Sequence, residues 1–201
     1  MLRIDILRHG ETALSGCLRG ATDDALTPQG WAQMKAGLAH YTEAQCALPW
    51  QAVFSSPLQR CQDFAAQLAA EHHIPLLLDP QLQEMHFGDW EGQSTADLYQ
   101  KYPQALAQFW QQPSQFTPPN AEPLLQFQRR VLGAMQQLQQ QMQVEQWQRV
   151  LVVSHGGVIK LLKSMALAQP LDQLLQQSAE LGQLHAFEYD AAGQLHYRGT
   201  D

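Results

Sequence analysis

Two apolar runs in this chain end alike, and that shared ending constrains the fold more than any other feature. Ile4 to Leu7 runs into Arg8-His9-Gly10-Glu11-Thr12, and Val150 to Ser154 runs into His155-Gly156-Gly157. A short apolar run closed by histidine and glycine, then followed by a helical pattern, reads as a parallel strand whose C-terminal tip presents side chains to a ligand. Further short runs at Ala52 to Ser55, Leu76 to Asp79, Ala186 to Tyr189 and Leu195 to Arg198 alternate with longer helical patterns. The alternation predicts an α/β fold of three layers, a mixed and mostly parallel sheet flanked by helices. The last two runs, joined through Ala192-Gly193, read as an edge hairpin.

Helix starts are legible too. Thr27-Pro28 offers a capping hydroxyl with proline at the first helical position, and Ser56-Pro57 does the same before Leu58 to Ala70. From Leu124 the apolar residues Phe127, Val131, Met135, Leu138 and Met142 recur at steps of three and four, one face of a long amphipathic helix. Its other face is crowded with Gln, of which the chain has 32. Gln is a good helix former, so this stretch reads as a neutral solvent face. Between Gly88 and Pro123 the strand pattern lapses while Trp, Phe and Pro become common, which predicts an excursion, at about 88–123, covering one end of the sheet.

With 201 residues, the chain is expected to form a single domain spanning 1–201. Twelve Lys and Arg against nineteen Asp and Glu give a formal charge of -7, which disfavours nucleic acid and anionic membrane surfaces as partners. No apolar run approaches the roughly 20 residues that span a bilayer. The N-terminal stretch has an acid, Asp5, within it and no small-residue cleavage site, so the expected compartment is the cytoplasm. Cys17, Cys46 and Cys61 fit neither a disulfide framework nor a zinc motif and read as reduced thiols.

The chemistry gathers at strand ends. Arg8, His9 and His155 share one edge, and Val53-Phe54-Ser55-Ser56-Pro57 leads into a first helical turn carrying Arg60. Two Arg and two His describe a phosphate pocket, since guanidinium forks bind phosphate oxygens in pairs and imidazole can attack or donate. The helix start after His155 adds backbone donors for an anion. A metal site is the rival reading, and Arg8 beside His9 opposes it, because its charge repels a cation.

These residues resemble the histidine phosphatase superfamily, which includes the cofactor-dependent phosphoglycerate mutases. The resemblance covers nearly the whole chain. It rests on Leu7-Arg8-His9-Gly10-Glu11-Thr12, on Asp23 to Gly30 with its Leu-Thr-x-x-Gly turn, and on Ser55-Ser56-Pro57-Leu58-Gln59-Arg60. Leu82 to Gly92 and Ser154-His155-Gly156-Gly157 complete the ordered set. It implies a phosphoglycerate mutase-like fold and a phosphomonoester substrate, with no metal and no cofactor. His9 would be the nucleophile, forming a phosphohistidine. Arg8, Arg60, His155 and the N–H of Gly156 would hold the phosphoryl oxygens, and Glu84 would be the acid and then the base. That role needs a carboxyl pKa raised by burial beside Phe87 and by the phosphate itself. Glu91 is the competing acid and Glu11 a weaker one; Glu91 reads better as a structural hydrogen-bond acceptor or helix cap. His40, His72, His73, His185 and His196 read as surface or satisfied residues; His86, beside Glu84, is open. The five Trp read as core, with Trp90 and Phe87 the exceptions near the acid.

The match departs at Ser15, where the family often carries an Asn that helps bind phosphate. Ser15, Arg19, Gly20 and Phe87 are the expected substrate-side contacts. The chain lacks the added length of the mutases, which favours hydrolysis. The wording from Leu18 to Thr27, followed by Gly30-Trp31-Ala32-Gln33-Met34, is most similar to the α-ribazole-5′-phosphate phosphatases of cobalamin assembly. A broad-specificity phosphatase and a phosphoglycerate mutase are the alternatives within the family. An inactive phosphoester-binding scaffold is the alternative outside catalysis. A monomer or homodimer fits equally.

Overall fold

The structure, a computed structural model, describes residues 1–42 and 48–200. Cys46 lies outside them; Cys17 and Cys61 carry free thiols. Six strands form one sheet: β1 (Leu2–Arg8), β2 (Val53–Ser55), β3 (Leu76–Leu78), β4 (Arg149–Ser154), β5 (Leu184–Tyr189) and β6 (Leu195–Thr200). Their order is β3-β2-β4-β1-β5-β6, with β3, β2, β4 and β1 parallel and the hairpin β5-β6 antiparallel at one edge. This is the mixed, mostly parallel sheet read from the alternating pattern.

Alternation along the central strands sorts the core into two layers. Ile4, Ile6, Val150 and Val152 face the helices α5 (Leu124–Val144) and α6 (Gly156–Ala166). Leu7, Leu151 and Val153 face α1 (Pro28–Thr42) and α2 (Gln59–His72). A strand buried on both faces must be apolar throughout, hence the unbroken run Val150 to Val153. Each such side chain contributes about 1.5–3 kcal/mol by leaving water. Asp5 interrupts β1 at zero exposure, and its carboxylate accepts from Trp50 Nε1 at 2.7 Å, Arg149 Nε at 2.6 Å and Arg3 Nε at 2.9 Å. Asp5→Ala would leave Arg149 and the Trp50 N–H without their acceptor and cost about 3–5 kcal/mol.

Thr27 caps α1 as expected, its Oγ1 accepting from the Gly30 N–H at 3.0 Å. Ser56 does not cap α2, which starts one residue later than the sequence pattern, at Gln59. The Ser56 hydroxyl accepts from His155 Nε2–H at 2.8 Å and from the Leu58 N–H ahead of the helix at 3.3 Å, and the N–H of Gln59 donates to Asp23 Oδ1 at 2.7 Å. A side chain from a distant loop thus replaces the local cap.

The excursion holds a 3-10 turn (Gly88–Trp90), α3 (Thr95–Lys101) and α4 (Pro103–Gln111). Ser94 starts α3, accepting from the Asp97 N–H at 3.0 Å, and Pro103 starts α4. Leu98, Leu106 and Phe109 join the α5/α6 core, so these helices close over the sheet's C-terminal end on that side. No helix among the described residues is long and apolar enough to cross a membrane.

Candidate active site

Strand register builds the site. Arg8 pairs with Ser154 across β1 and β4, so the next residue on each strand, His9 and His155, emerges side by side. Their rings lie 5.3 Å apart, tilted by 62°. Ser55 pairs with Val153 across β2 and β4, which brings Ser56 and the first turn of α2, with Arg60, to the same point.

His9 is buried, and its Nδ1 lies 2.8 Å from the Gly10 carbonyl oxygen. A carbonyl only accepts, so Nδ1 carries the hydrogen and Nε2 keeps a lone pair. Burial holds the His9 pKa well below the ordinary 6.5; the Gly10 carbonyl opposes this, and Arg8, Arg60 and Arg19 reinforce it. His155 has the opposite tautomer. Its Nδ1 accepts from Arg60 Nε at 3.3 Å, which leaves Nε2–H to donate to Ser56 Oγ at 2.8 Å. Burial, then the charge of Arg60, keeps this ring neutral as well.

Arg60 has zero exposure. Its Nη1 donates to the Thr22 carbonyl at 2.7 Å and Asp24 Oδ1 at 3.3 Å, and its Nη2 to the Gly20 carbonyl at 2.8 Å. Arg8 donates through Nη1 to the Ala179 carbonyl. Burial lowers its pKa, and the charges of Glu84 and Glu180 oppose that.

Glu84 reaches the start of α6, where its Oε2 accepts from the Gly157 N–H at 2.9 Å. A Cβ at position 157 would collide with this carboxylate and displace it from the Gly157 N–H. The segment carrying Glu84 is clamped by Arg130 of α5, which donates to the carbonyls of Gln81 at 2.8 Å, Gln83 at 2.7 Å and Glu84 at 2.9 Å. Glu122 fixes Arg130 from 2.6 Å. Sequence reading missed both: Arg130 stands beside Val131 in an amphipathic pattern and reads as solvent face, while Glu122 precedes the helix with no periodic relation to it.

A cavity of about 200 Å³ opens at this point. Arg8, His9, Ser15, Arg19, Glu84 and Gly156 line its polar end, and Phe87, Phe109, Trp110, Phe127 and Leu174 its apolar end. Lys160, which sequence reading also passed over, lines it one turn along α6. Ser15 Oγ accepts from the Thr12 N–H at 2.8 Å, and Arg19 donates to the Leu14 carbonyl at 2.8 Å while its Nε lies 3.3 Å from Asp24. Gly20 stands behind the wall, its N–H committed to Glu91 at 2.8 Å and its carbonyl to Arg60. Arg60 and His155, both fully buried, are not on the wall either.

The rival acids are committed elsewhere. Glu91 accepts from backbone N–H groups of residues 20–22 and Phe87; burial pushes its pKa up, but these bonds and the Thr22 hydroxyl outweigh it and hold it below the ordinary carboxylate range. Glu11 accepts from the Thr27 hydroxyl at 2.8 Å. His86 Nδ1 accepts from the Gly88 N–H at 3.2 Å and His196 pairs with Asp190 at 2.8 Å; His185 is neither on the surface nor fully satisfied, being buried with Nδ1 3.3 Å from the Tyr197 hydroxyl and Nε2 without a hydrogen-bond partner among the described residues. Among the described residues, no three His, Cys, Asp or Glu side chains gather as metal ligands.

An α/β sheet with paired histidines at adjacent strand tips and a guanidinium behind them defines a class, and the family profile agrees. The histidine phosphatase superfamily (branch 1) matches residues 4–198, and the chain belongs to that family. It is 31% identical over 183 residues to the adenosylcobalamin/alpha-ribazole phosphatase of Salmonella typhimurium, covering 90% of this chain and 87% of that protein. It is 34% identical over 193 residues to a bifunctional protein of Mycobacterium tuberculosis; these are 95% of this chain but 51% of that protein, so it spans about half of that relative. Among solved structures, Bacillus stearothermophilus YhfR superposes with a TM-score of 0.86 at 27% identity, covering 99% of this chain and 96% of that one. The alpha-ribazole phosphatase from Shigella flexneri gives 0.82 at 26% identity, with the same coverage of 99% and 96%.

Proposed function

We propose that this protein hydrolyses phosphomonoesters through a phosphohistidine on His9, and that its substrate is α-ribazole 5′-phosphate. The observation that carries the reaction is the Nδ1–H of His9 bonded to the Gly10 carbonyl at 2.8 Å, which reserves Nε2 for attack at the cavity wall. Nε2 bonds to phosphorus as the ester P–O bond breaks in line, and Glu84 passes its proton to the departing alkoxide. The carboxylate of Glu84 then takes a proton from water, which attacks phosphorus and releases phosphate and free His9. Arg8 and the Gly156 N–H meet the phosphoryl oxygens from the wall, with Arg60 and His155 behind them. Charge fixed in place before the reaction lowers the barrier, and each such donor contributes roughly 2.7–4 kcal/mol.

Two features support the substrate. Much of the cavity lining is aromatic and aliphatic, which suits a flat, weakly charged base better than a small sugar acid. Relatives with that printed activity match over most of both chains. Ser15 and Arg19 would contact the ester from the polar end and Phe87 the base. The test is phosphate release from α-ribazole 5′-phosphate, 3-phosphoglycerate and an aryl phosphate, with chelator present, together with capture of an acid-labile phosphoenzyme. The expected result is preference for the ribazole ester, unchanged by chelator. Equal, slow rates on all three remove the substrate assignment; turnover that persists in His9→Ala removes the mechanism.

A further inference from the structure

Resting on the phosphatase reading, we propose that Glu91 is the positioning residue of the site and acts on the phosphoryl group through Arg60. The two never touch. Between them runs the segment Gly20-Ala21-Thr22, whose N–H groups turn to one and whose carbonyls turn to the other.

On one side, Glu91 Oε1 accepts from Gly20 N–H at 2.8 Å, Ala21 N–H at 3.2 Å and Phe87 N–H at 2.9 Å. Its Oε2 accepts from Thr22 N–H at 3.2 Å and the Thr22 hydroxyl at 2.6 Å. Successive N–H groups converging on one carboxylate form an anion nest. On the other side, the Gly20 and Thr22 carbonyls accept from Arg60 Nη2 at 2.8 Å and Nη1 at 2.7 Å. One peptide unit does both jobs: the amide joining Gly20 to Ala21 gives its N–H to the carboxylate and its C=O to the guanidinium. A negative charge at the N–H end polarises that amide and strengthens the bond its oxygen accepts, most of all in a buried, low-dielectric setting.

The same carboxylate ties in the acid. By holding Phe87 N–H, Glu91 fixes the segment that bears Glu84 against the segment that cages Arg60. Gly20 lies so close to the Met85 carbonyl that any side chain there would collide with it. Movement of one segment is therefore movement of the other. Arg60 has a long, rotatable stem; without the cage it loses its fixed aim, and a misplacement of about 1 Å costs on the order of 10²-fold in rate.

The experiment is a double-mutant cycle on Glu91→Gln and Arg60→Gln, read by turnover of p-nitrophenyl phosphate and by calorimetric affinity for orthovanadate. Glu91→Gln is expected to lose about 10–100-fold in kcat/KM, with Glu91→Asp recovering part. In the Arg60→Gln background the same change should cost less than about threefold, because the group it acts through is gone. Should Glu91→Gln fail to fold by circular dichroism, Thr22→Val removes one donor only, with a smaller loss that also vanishes without Arg60. An equal factor in both backgrounds overturns the proposal, since a merely structural role is additive. Wild-type protein that binds orthovanadate with this coupling but turns nothing over sinks the phosphatase reading and leaves the positioning role standing. Neither binding nor turnover overturns both.

Discussion

The two ends of one cavity are built by different means. At the polar end each group is fixed by a backbone partner: His9 by the Gly10 carbonyl, Glu84 by the Gly157 N–H, Arg8 by the Ala179 carbonyl, and the buried Arg60, off the wall, by two carbonyls. The sheet register sets these positions, and backbone is the least movable part of a protein. At the apolar end the walls come from the excursion, where Phe109 meets Phe87 at 6.3 Å and Trp110 at 5.6 Å, and Trp110 is 40% exposed. Rings packed on rings, partly in water, tolerate rearrangement. On the proposed mechanism, chemistry common to every ester would sit on rigid elements, and selection among esters where the chain can vary.

Substitutions at the rigid end should therefore act alike on every ester, and those at the pliable end selectively. His9→Ala is expected to have the largest effect, a loss on the order of 10⁴-fold or more whatever the alcohol, measured as phosphate release. A loss confined to bulky esters would contradict the division. Glu84→Gln should cost about 10²–10⁴-fold on alkyl phosphates, whose leaving oxygen needs a proton, and far less on p-nitrophenyl phosphate, whose phenolate leaves unaided. Equal losses on both would remove Glu84 as the acid. Arg60→Lys should lower kcat by roughly 100–1000-fold on all esters, since an ammonium replaces a planar fork. It also leaves carbonyls of the cage unsatisfied at about 1–3 kcal/mol each, visible as a lower denaturation midpoint.

The rigid end was also the legible end. A strand tip carrying His-Gly can be recognised because periodicity locates the strand and parallel pairing brings two such tips together. The excursion was legible only as a lapse of pattern rich in Phe and Trp, and around Phe109 and Trp110 such aromatics suit a ligand cleft yet read equally as core. Arg130 and Glu122 escaped because they act on backbone carbonyls, and a carbonyl is the same in every residue. Ser56 misled for a related reason. Its local pattern was that of a cap, yet its hydroxyl accepts only the Leu58 N–H just ahead of the helix and a histidine 99 positions away.

Proton uptake sharpens the same contrast. Burial lowers the pKa of His9 and His155 below the 6.5 of an exposed ring, so as pH falls from about 6.5 to 5.5 the unfolded chain binds protons that the folded chain refuses. Stability should be level above pH 6.5 and fall below it, and bound phosphate, an anion beside His9, should restore part of the loss. Urea midpoints across that interval check the sign; a midpoint rising toward pH 5.5 would mean the folded site prefers charged imidazole.

The smallest effect belongs to the pliable wall. Trp110→Ala removes one ring from the apolar end and touches none of the fixed donors, so kcat on p-nitrophenyl phosphate should stay within about twofold. For an ester with a two-ring base, KM should rise about 10-fold, the roughly 1–3 kcal/mol of apolar contact a single side chain supplies in discrimination. Small alkyl phosphates, too short to reach the excursion, should not notice the change. If Trp110→Ala instead lowers kcat on all three, the excursion would be holding the catalytic end in place, and the two ends of the cavity would be one unit.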